Sequence, residues 1–415
     1  RMSNENKPTD KGQAVALIIF VLGLGTLLPW NFFMTASQYF NGRLNNKSNS
    51  TSAATEDYNY DSWMALLSQL PLLLFTLLNS FLYQVRERIR VAFSLIAILL
   101  FFSLTAALVT VPMQPGSFFS VTMATIWFIN MFSAVLQGSL FGVVGLFPPR
   151  YSTLFMSGQG LAGLFAAVAM LFSILSNADE NTAALGYFIT PCVATLGTLV
   201  CYLLLPHLDF ARFYLNRRQS DPAEEVSPLK GSYKVSDSDL SQSLNTKENE
   251  IWKMALSVTC VFAVTLSVFP VITVRVQTVY KNPAWEKVFT CVCCFIVFNV
   301  MDLLGRSAPS VVQWPSKDSV LFPGAVLCRV AFIPLLMMCN IHNSNLNVFS
   351  HDCIFVIIMA LFSFSNGYLA SLCMAYAPQF VRSKDCETAG SLMTFFLVLG
   401  LALGASFSFL LGKLV

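Results

Sequence analysis

Apolar runs long enough to cross a bilayer follow one another along the chain, with short polar connections between most of them. They lie near residues 14–36, 63–84, 91–112, 117–147, 153–176, 184–206, 252–276, 285–312, 319–340, 352–377 and 386–412. A helix needs ~20 apolar residues to span the hydrocarbon layer, so these eleven runs predict about eleven transmembrane helices. Backbone groups in lipid must pair internally, which leaves a helical bundle or a closed barrel. The runs are continuous and lack the two-residue alternation of barrel strands, so the pattern predicts an all-α polytopic membrane protein. One long polar stretch, residues 207–250, is rich in Ser, Asp, Glu and Lys and cannot bury a core. It predicts a flexible cytosolic linker between an N-terminal bundle of six helices (1–206, with an outer loop at about 37–62) and a C-terminal bundle of five (251–415).

Composition agrees. The chain is 55% hydrophobic and 11% charged with mean hydropathy +0.63, against about 25% charged residues in soluble domains. A net charge of +3 implies no polyanion-binding face, so nucleic acid is not expected as a partner. Basic residues decide orientation instead. With the amino terminus in the cytosol, Arg86, Arg88, Arg90, Arg150, Arg212, Arg217, Arg218, Arg306, Arg382 and Lys384 fall on the inner side. Few, such as Arg43, Lys47, Arg275 and Lys281, fall outside, and the carboxyl terminus is then extracellular. The sequons beginning at Asn46 and Asn49 lie in the outer first loop, where glycosylation can reach them. The first apolar run shows no small-residue cleavage site and reads as a retained span rather than a signal peptide.

Candidate chemistry is sparse. Cys291 and Cys294 spell C-x-x-C, but with no second pair and no nearby His they read as buried thiols rather than a metal or redox site. The three histidines, His207, His342 and His351, lie at helix ends or loops, and no catalytic triad or zinc motif accompanies them, so neither an enzyme nor a cofactor is expected. Gly158 to Gly163 matches G-x-G-x-x-G, yet it opens a membrane helix rather than following a strand. With Gly138/Gly142 and Gly400/Gly404 it predicts close helix packing. Polar groups inside the spans point to function. Asn299, Asp302 and Arg306 are spaced three and four apart and share one helical face. Such a pair can offer donors and acceptors to a bound polyol, and the same spacing suits a structural ion pair. Trp30, Asn31, Gln69, Gln137 and Asn366 form a second polar set, suited to stacking on and hydrogen bonding a heterocycle or to interhelical bonding. Arg329 is a lone charge with no partner evident in the sequence.

Several long motifs resemble the equilibrative nucleoside transporter family. They are Gly23-Leu-Gly-Thr-Leu-Leu-Pro-Trp-Asn-Phe-Phe33, Leu70-Pro-Leu-Leu-Leu-Phe-Thr76, Leu136-Gln-Gly-Ser-Leu-Phe-Gly142, Met156-Ser-Gly-Gln-Gly-Leu-Ala-Gly163, Ser365-Asn-Gly-Tyr-Leu-Ala-Ser371 and Glu387-Thr-Ala-Gly390. The likeness is greatest to the second ubiquitous plasma-membrane member. The resemblance implies a 6+5 fold of the major facilitator type and sodium-independent transport of purine and pyrimidine nucleosides, such as adenosine and uridine, with nucleobases as further cargo. It implies Leu27 and Trp30 in the cavity from the first helix, Gln69 and Leu72 from the second, and Gln137 on the base. Asp302 and Arg306 would hold the ribose, with Phe269, Phe295, Asn299 and Leu401 nearby. Met34 against Pro270 would gate the outside, and Arg90 with Glu387 the inside. The family's D-W-L-G-R run reads Asp302-Leu-Leu-Gly-Arg306 here, so any role of that tryptophan is absent. Ser133 replaces the glycine of the member most sensitive to thioinosine-type inhibitors, which implies weaker inhibition. No obligate protein partner is expected beyond membrane lipid. The leading expectation is alternating access around a mid-membrane site. Its rivals are a proton-coupled carrier titrating Asp302, a receptor that binds without moving its ligand, and an embedded enzyme.

Overall fold

A computed structural model describes residues 8–46, 60–82, 85–177, 179–216, 237–269, 271–342 and 344–415. Ten helical stretches among these are long and apolar enough to cross a membrane. The first half holds α1 (Ala14–Thr35), the short α2 (Ser37–Asn46), α3 (Tyr60–Phe81), α4 (Glu87–Thr110), α5 (Pro115–Gly145), α6 (Pro149–Ser176) and α7 (Glu180–Leu204), followed by the short α8 (Asp209–Leu215). The second half begins with α9 (Asp237–Val268). Its next span joins α10 (Pro283–Phe289), a π-helical segment (Thr290–Ile296) and α11 (Val297–Ser307). Then come α12 (Leu321–Cys328), α13 (Phe332–Met337), α14 (Asp352–Tyr376) and α15 (Cys386–Leu414).

Two boundaries differ from the sequence pattern. Helix α9 starts at Asp237, inside the stretch expected as linker, whereas residues 217–236 of that stretch lie outside the described residues. The run at 319–340 is continuous in hydropathy but is built as α12 and α13 around a 3-10 turn at Arg329–Ala331. Leu321–Met337 is therefore a shorter apolar helix beside ten of membrane length. The break coincides with Arg329, whose side chain turns inward (2% exposed).

Local chemistry starts several of the helices. Proline occupies the first turn of α5, α6 and α10, where its missing N–H is no loss. The Asn282 side chain caps α10 by accepting from the Ala284 N–H at 3.1 Å. Serine and threonine within spans return their hydroxyls to the carbonyl one turn back, as Thr76 does to Leu72 at 2.7 Å and Thr105 to Phe101 at 2.8 Å, which lets them lie in an apolar medium.

The outer surface of the spans carries many large apolar side chains. On α3, Leu66, Leu70, Leu74 and Leu78 recur every fourth residue and are each nearly half exposed. Such a stripe would be an association site in water; in lipid it costs nothing. Specificity must then come from close packing and polar bonds, since apolar contact alone does not favour protein over lipid tails. The glycine pairs perform this. A Cβ at Gly400 or Gly404 would lie 2.6 Å from the Thr259 or Ala263 carbonyl oxygen of α9, and one at Gly142 would lie 2.9 Å from the Glu387 carbonyl oxygen. Gly158 faces the α1 backbone at Phe20 and Leu24, while Gly160 and Gly163 face Leu303 and Asn299 of the second half. The G-x-G-x-x-G run is thus a packing surface, as predicted.

Helices α1 and α3–α7 pack mainly with one another, as do α9–α15. The halves meet where α3 and α5 touch α15 and where α6 touches α11 and α14. This is the two-bundle arrangement expected from the layout.

Candidate functional site

A cavity of about 710 Å³ lies where α1, α6 and α7 of the first half approach α10 and α11 of the second, within the ~300–1,000 Å³ range of small-molecule sites. Its deep wall carries Gln159, Asn299, Asp302 and Arg306; its flanks carry Leu27, Asn31, Met170, Tyr187, Phe269, Phe295 and Phe298. It reaches Met34, Thr35, Asn177, Glu180 and Lys287, which sit at the end of the bundle opposite the amino terminus. There Lys287 donates to Asn177 Oδ1 at 3.1 Å, the two residues belonging to different halves.

The opposite end is closed by contacts between the halves. Ser391 of α15 donates to the Gly138 carbonyl of α5 at 2.9 Å, and the Ser157 and Ser307 hydroxyls meet at 2.9 Å. Gly390 packs on the Phe141 carbonyl, where a Cβ would not fit. Arg90 donates to Asn79 Oδ1 at 2.8 Å, and the same oxygen accepts from Ser139 at 3.2 Å. Glu387, in the first turn of α15, lies against Gly142 of α5 at this end.

Asp302 and Arg306 form a buried ion pair along one face of α11, with Arg306 Nε 2.8 Å from Asp302 Oδ2. The residues are 4% and 8% exposed, so little solvent competes for the pair. The spare guanidinium donor Nη1 reaches Gln159 Oε1 of α6 at 3.3 Å, and Gln159 in turn donates to Thr26 of α1 at 3.2 Å. On the other side Asn366 of α14 donates to Asp302 Oδ1 at 2.9 Å. The pair therefore stands in a polar line running from the first half into the second. Beside it Phe269 stacks on Phe298 at 3.9 Å and meets Phe295 edge-on at 5.9 Å, making an aromatic wall.

The predicted residues divide in two. Leu27, Met34, Phe269, Phe295, Asn299, Asp302 and Arg306 line this cavity. Trp30, half-buried, stacks on Phe33 at 5.1 Å at the edge of the large core that runs through both halves. Leu72 and Leu401 pack as partly buried neighbours of that core, Gln137 is 7% exposed, and Ser133 is half-buried on α5. Gln69 keeps its Oε1 buried with no hydrogen-bond partner. Pro270, Asn49 and the side chain of Asn46 lie outside the described residues, so the pairing of Met34 with Pro270 and the sequons do too. Gln159, Tyr187, Glu180 and Lys287 are cavity residues that sequence reasoning missed. Gln159 carried a usable signal, an amide in mid-span between two glycines; the other three sit near helix ends where polarity is ordinary.

A sequence model described as "Nucleoside transporter" matches residues 123–413. The chain belongs to the nucleoside transporter family. It is 49% identical to equilibrative nucleoside transporter 2 of Rattus norvegicus over 456 residues and 50% identical to that of Homo sapiens over 457, with all of both chains covered. Identity to equilibrative nucleoside transporter 1 of Homo sapiens is 44% over 457 residues, again across both chains. Among solved structures, the human organic anion transporter MFSD10 matches with a TM-score of 0.63 at 12% identity, covering 96% of this chain and 93% of that one. The proton:xylose symporter XylE matches with 0.59 at 9%, covering 94% and 87%. At such identities the likeness shows fold alone, and that fold is the major facilitator architecture expected for this transporter.

Proposed function

We propose that this chain carries purine and pyrimidine nucleosides such as adenosine and uridine, with some nucleobases, down their gradients by rocking its two halves about the central cavity. Family membership supports the cargo class. The observation that supports the mechanism is a buried Asp302–Arg306 pair facing a cavity between the halves, which pack together at one end through Ser391 and Gly138 and are bridged at the other by Lys287 and Asn177. Asp302 accepts from the ribose hydroxyls and Arg306 donates to them. Phe269, Phe295 and Leu27 bound the cavity, and Asn299 adds an amide. Gln69, with a buried acceptor free, and Gln137 address the base once Trp30, Leu72 and Leu401 shift with the rocking. Met34 with Pro270 closes the outer end, and Arg90 with Glu387 the inner. Closure at the outside and opening at the inside then exchange one set of contacts between the halves for another, as a two-state carrier requires. The Gln159–Arg306 bond, which crosses between halves, is one that must yield.

The same reading gives residues 1–206 and 251–415 as the moving units and 207–250 as the cytosolic connection. It places the protein in the plasma membrane with a cytosolic amino and an extracellular carboxyl terminus, working without a cofactor or an obligate protein partner. Ser133 weakens inhibition by thioinosine-type compounds. Orientation has its own check. Protein from surface-labelled cells is expected to lose apparent mass on treatment with peptide N-glycosidase, and the double substitution Asn46→Gln/Asn49→Gln is expected to remove that shift; an unglycosylated wild type would reverse support for an outer first loop.

Uptake of radiolabelled uridine into proteoliposomes tests the function. With no ion gradient, unlabelled uridine preloaded inside is expected to accelerate entry. Binding without entry would leave a receptor, and uptake only under a proton gradient would leave a coupled carrier.

A further inference from the structure

Arg329 lies at the break between α12 and α13, and all its hydrogen bonds go to neutral acceptors. Nε donates to Ser365 Oγ at 2.9 Å, Nη1 to the Val261 carbonyl at 2.7 Å, and Nη2 to Thr265 Oγ1 at 2.9 Å and the Phe362 carbonyl at 3.2 Å. The Phe362 ring lies 5.2 Å from the guanidinium. A cation so buried is costly in lipid, and the ion pair of α11 is complete without it.

We propose that Arg329 is a positioning residue which, through Thr265 and Asn366, fixes the Asp302 carboxylate toward the cavity for the vicinal hydroxyls of a riboside; this rests on the nucleoside reading above. The direction of each hydrogen bond carries the inference. Arginine can only donate, so the Thr265 oxygen accepts from Nη2 and its hydrogen must point elsewhere. Two acceptors are in reach, Asn366 Oδ1 at 2.7 Å and the Val261 carbonyl at 2.9 Å; the amide oxygen is the nearer, and the carbonyl shares its lone pairs with Nη1. With its oxygen toward Thr265, Asn366 presents its NH2 to Asp302 Oδ1 at 2.9 Å. Thr265, Asn366 and Arg329 are 1%, 2% and 2% exposed, so water does not compete for these bonds. Every donor in the run Arg329, Thr265, Asn366 points toward Asp302, an arrangement in which successive bonds polarise one another. Asp302 then holds one donor on each oxygen, Asn366 on Oδ1 and Arg306 on Oδ2. A second lone pair on each oxygen is left for a diol.

A purely structural staple would predict otherwise. Arg329 also ties α9 to α14, and loss of that tie would slow transport of every substrate alike. Positioning changes only what the carboxylate reads. Thr265→Val keeps the side-chain volume and removes the relay hydroxyl. The Michaelis constant for uridine is expected to rise about fivefold, as for loss of one well-placed hydrogen bond, with the maximal rate per reconstituted protein retained. The inhibition constant of 2′,3′-dideoxyuridine as competitor is expected to stay within about twofold, since it has no diol to read. Thr265→Ser restores uridine, and Arg329→Lys, which keeps the charge but loses the fork, shifts uridine in the same direction as Thr265→Val. Equal shifts for both ligands, or none, overturn the relay. Wild-type protein that takes up no uridine overturns the nucleoside reading and the relay together; wild-type uptake with unchanged discrimination in Thr265→Val overturns the relay alone.

Discussion

Asp302→Ala is expected to lower uridine uptake at least about a hundredfold when normalised to protein in the membrane. Two losses combine. The substrate loses an acceptor whose charge-assisted bonds are each worth about 1.5–3 kcal/mol, and about 2.7 kcal/mol is already a hundredfold. Arg306, 8% exposed, also loses its counter-charge, and removing one partner of a buried pair costs about 3–5 kcal/mol. The second loss threatens the fold as well as binding, so Asp302→Asn is the companion variant. It keeps the shape and still accepts from Arg306, but it removes the charge and turns its NH2 toward that of Asn366, so the expected result is a milder fall in abundance than for Asp302→Ala with, per protein in the membrane, a Michaelis constant raised about tenfold. Uptake by Asp302→Ala at the wild-type Michaelis constant would show that the pair is structural and that substrate binds elsewhere.

Gly305→Ala is expected to abolish functional protein through packing alone. Gly305 lies on α11 against α14, where a Cβ would overlap the Phe364 carbonyl oxygen and lie 2.9 Å from the Tyr368 nitrogen. Both obstacles are backbone, which no rotamer change can relieve, so the helices must separate. Gly367 on α14 makes the reciprocal approach, with a Cβ there 2.9 Å from Asp302 Oδ1 and from the Arg306 nitrogen. Separating α11 from α14 therefore also stretches the Asn366–Asp302 bond. Overpacking of this kind costs about 1–3 kcal/mol or more. The expected observation is an early-eluting, aggregated profile on size exclusion and a melting temperature several degrees lower. Gly324→Ala serves as the control, because no atom lies within 4 Å of a Cβ at that position. A Gly305→Ala protein with wild-type elution and stability would show that the two helices pack less tightly than the structure gives.

The polar stripe of α11 is legible in the sequence. Asn299, Asp302 and Arg306 share a face because the helix repeats every 3.6 residues, and charges in a membrane span are too costly to be idle. The glycine pairs are legible for a related reason: small residues four apart mark where backbones approach. The partner of Arg329 is not legible, because its acceptors are carbonyls and hydroxyls drawn from α9 and α14, far along the chain. The break in the ninth span does not show in hydropathy, which is continuous across it; its sequence signal is Pro334, which has no N–H to donate to the Val330 carbonyl one turn back, within the 3-10 turn. Trp30 is half-buried and stacked on Phe33, outside the residues that line the cavity. Its neighbour Asn31 lines the cavity instead.

Apolar length, charge placement and the intramembrane polar residues determined, from sequence alone, that the chain is a membrane-spanning helical bundle in two unequal halves. That much follows because the bilayer acts as a solvent on each span separately, so local composition suffices. Which spans meet, that Gln159 of one half reaches Arg306 of the other, and that the cavity lies between close contacts at one end and the Lys287–Asn177 bond at the other were decided only by tertiary structure. In lipid, apolar burial does not choose between partners. The choice falls to a few glycine contacts and oriented hydrogen bonds, whose geometry exists only once the helices are together.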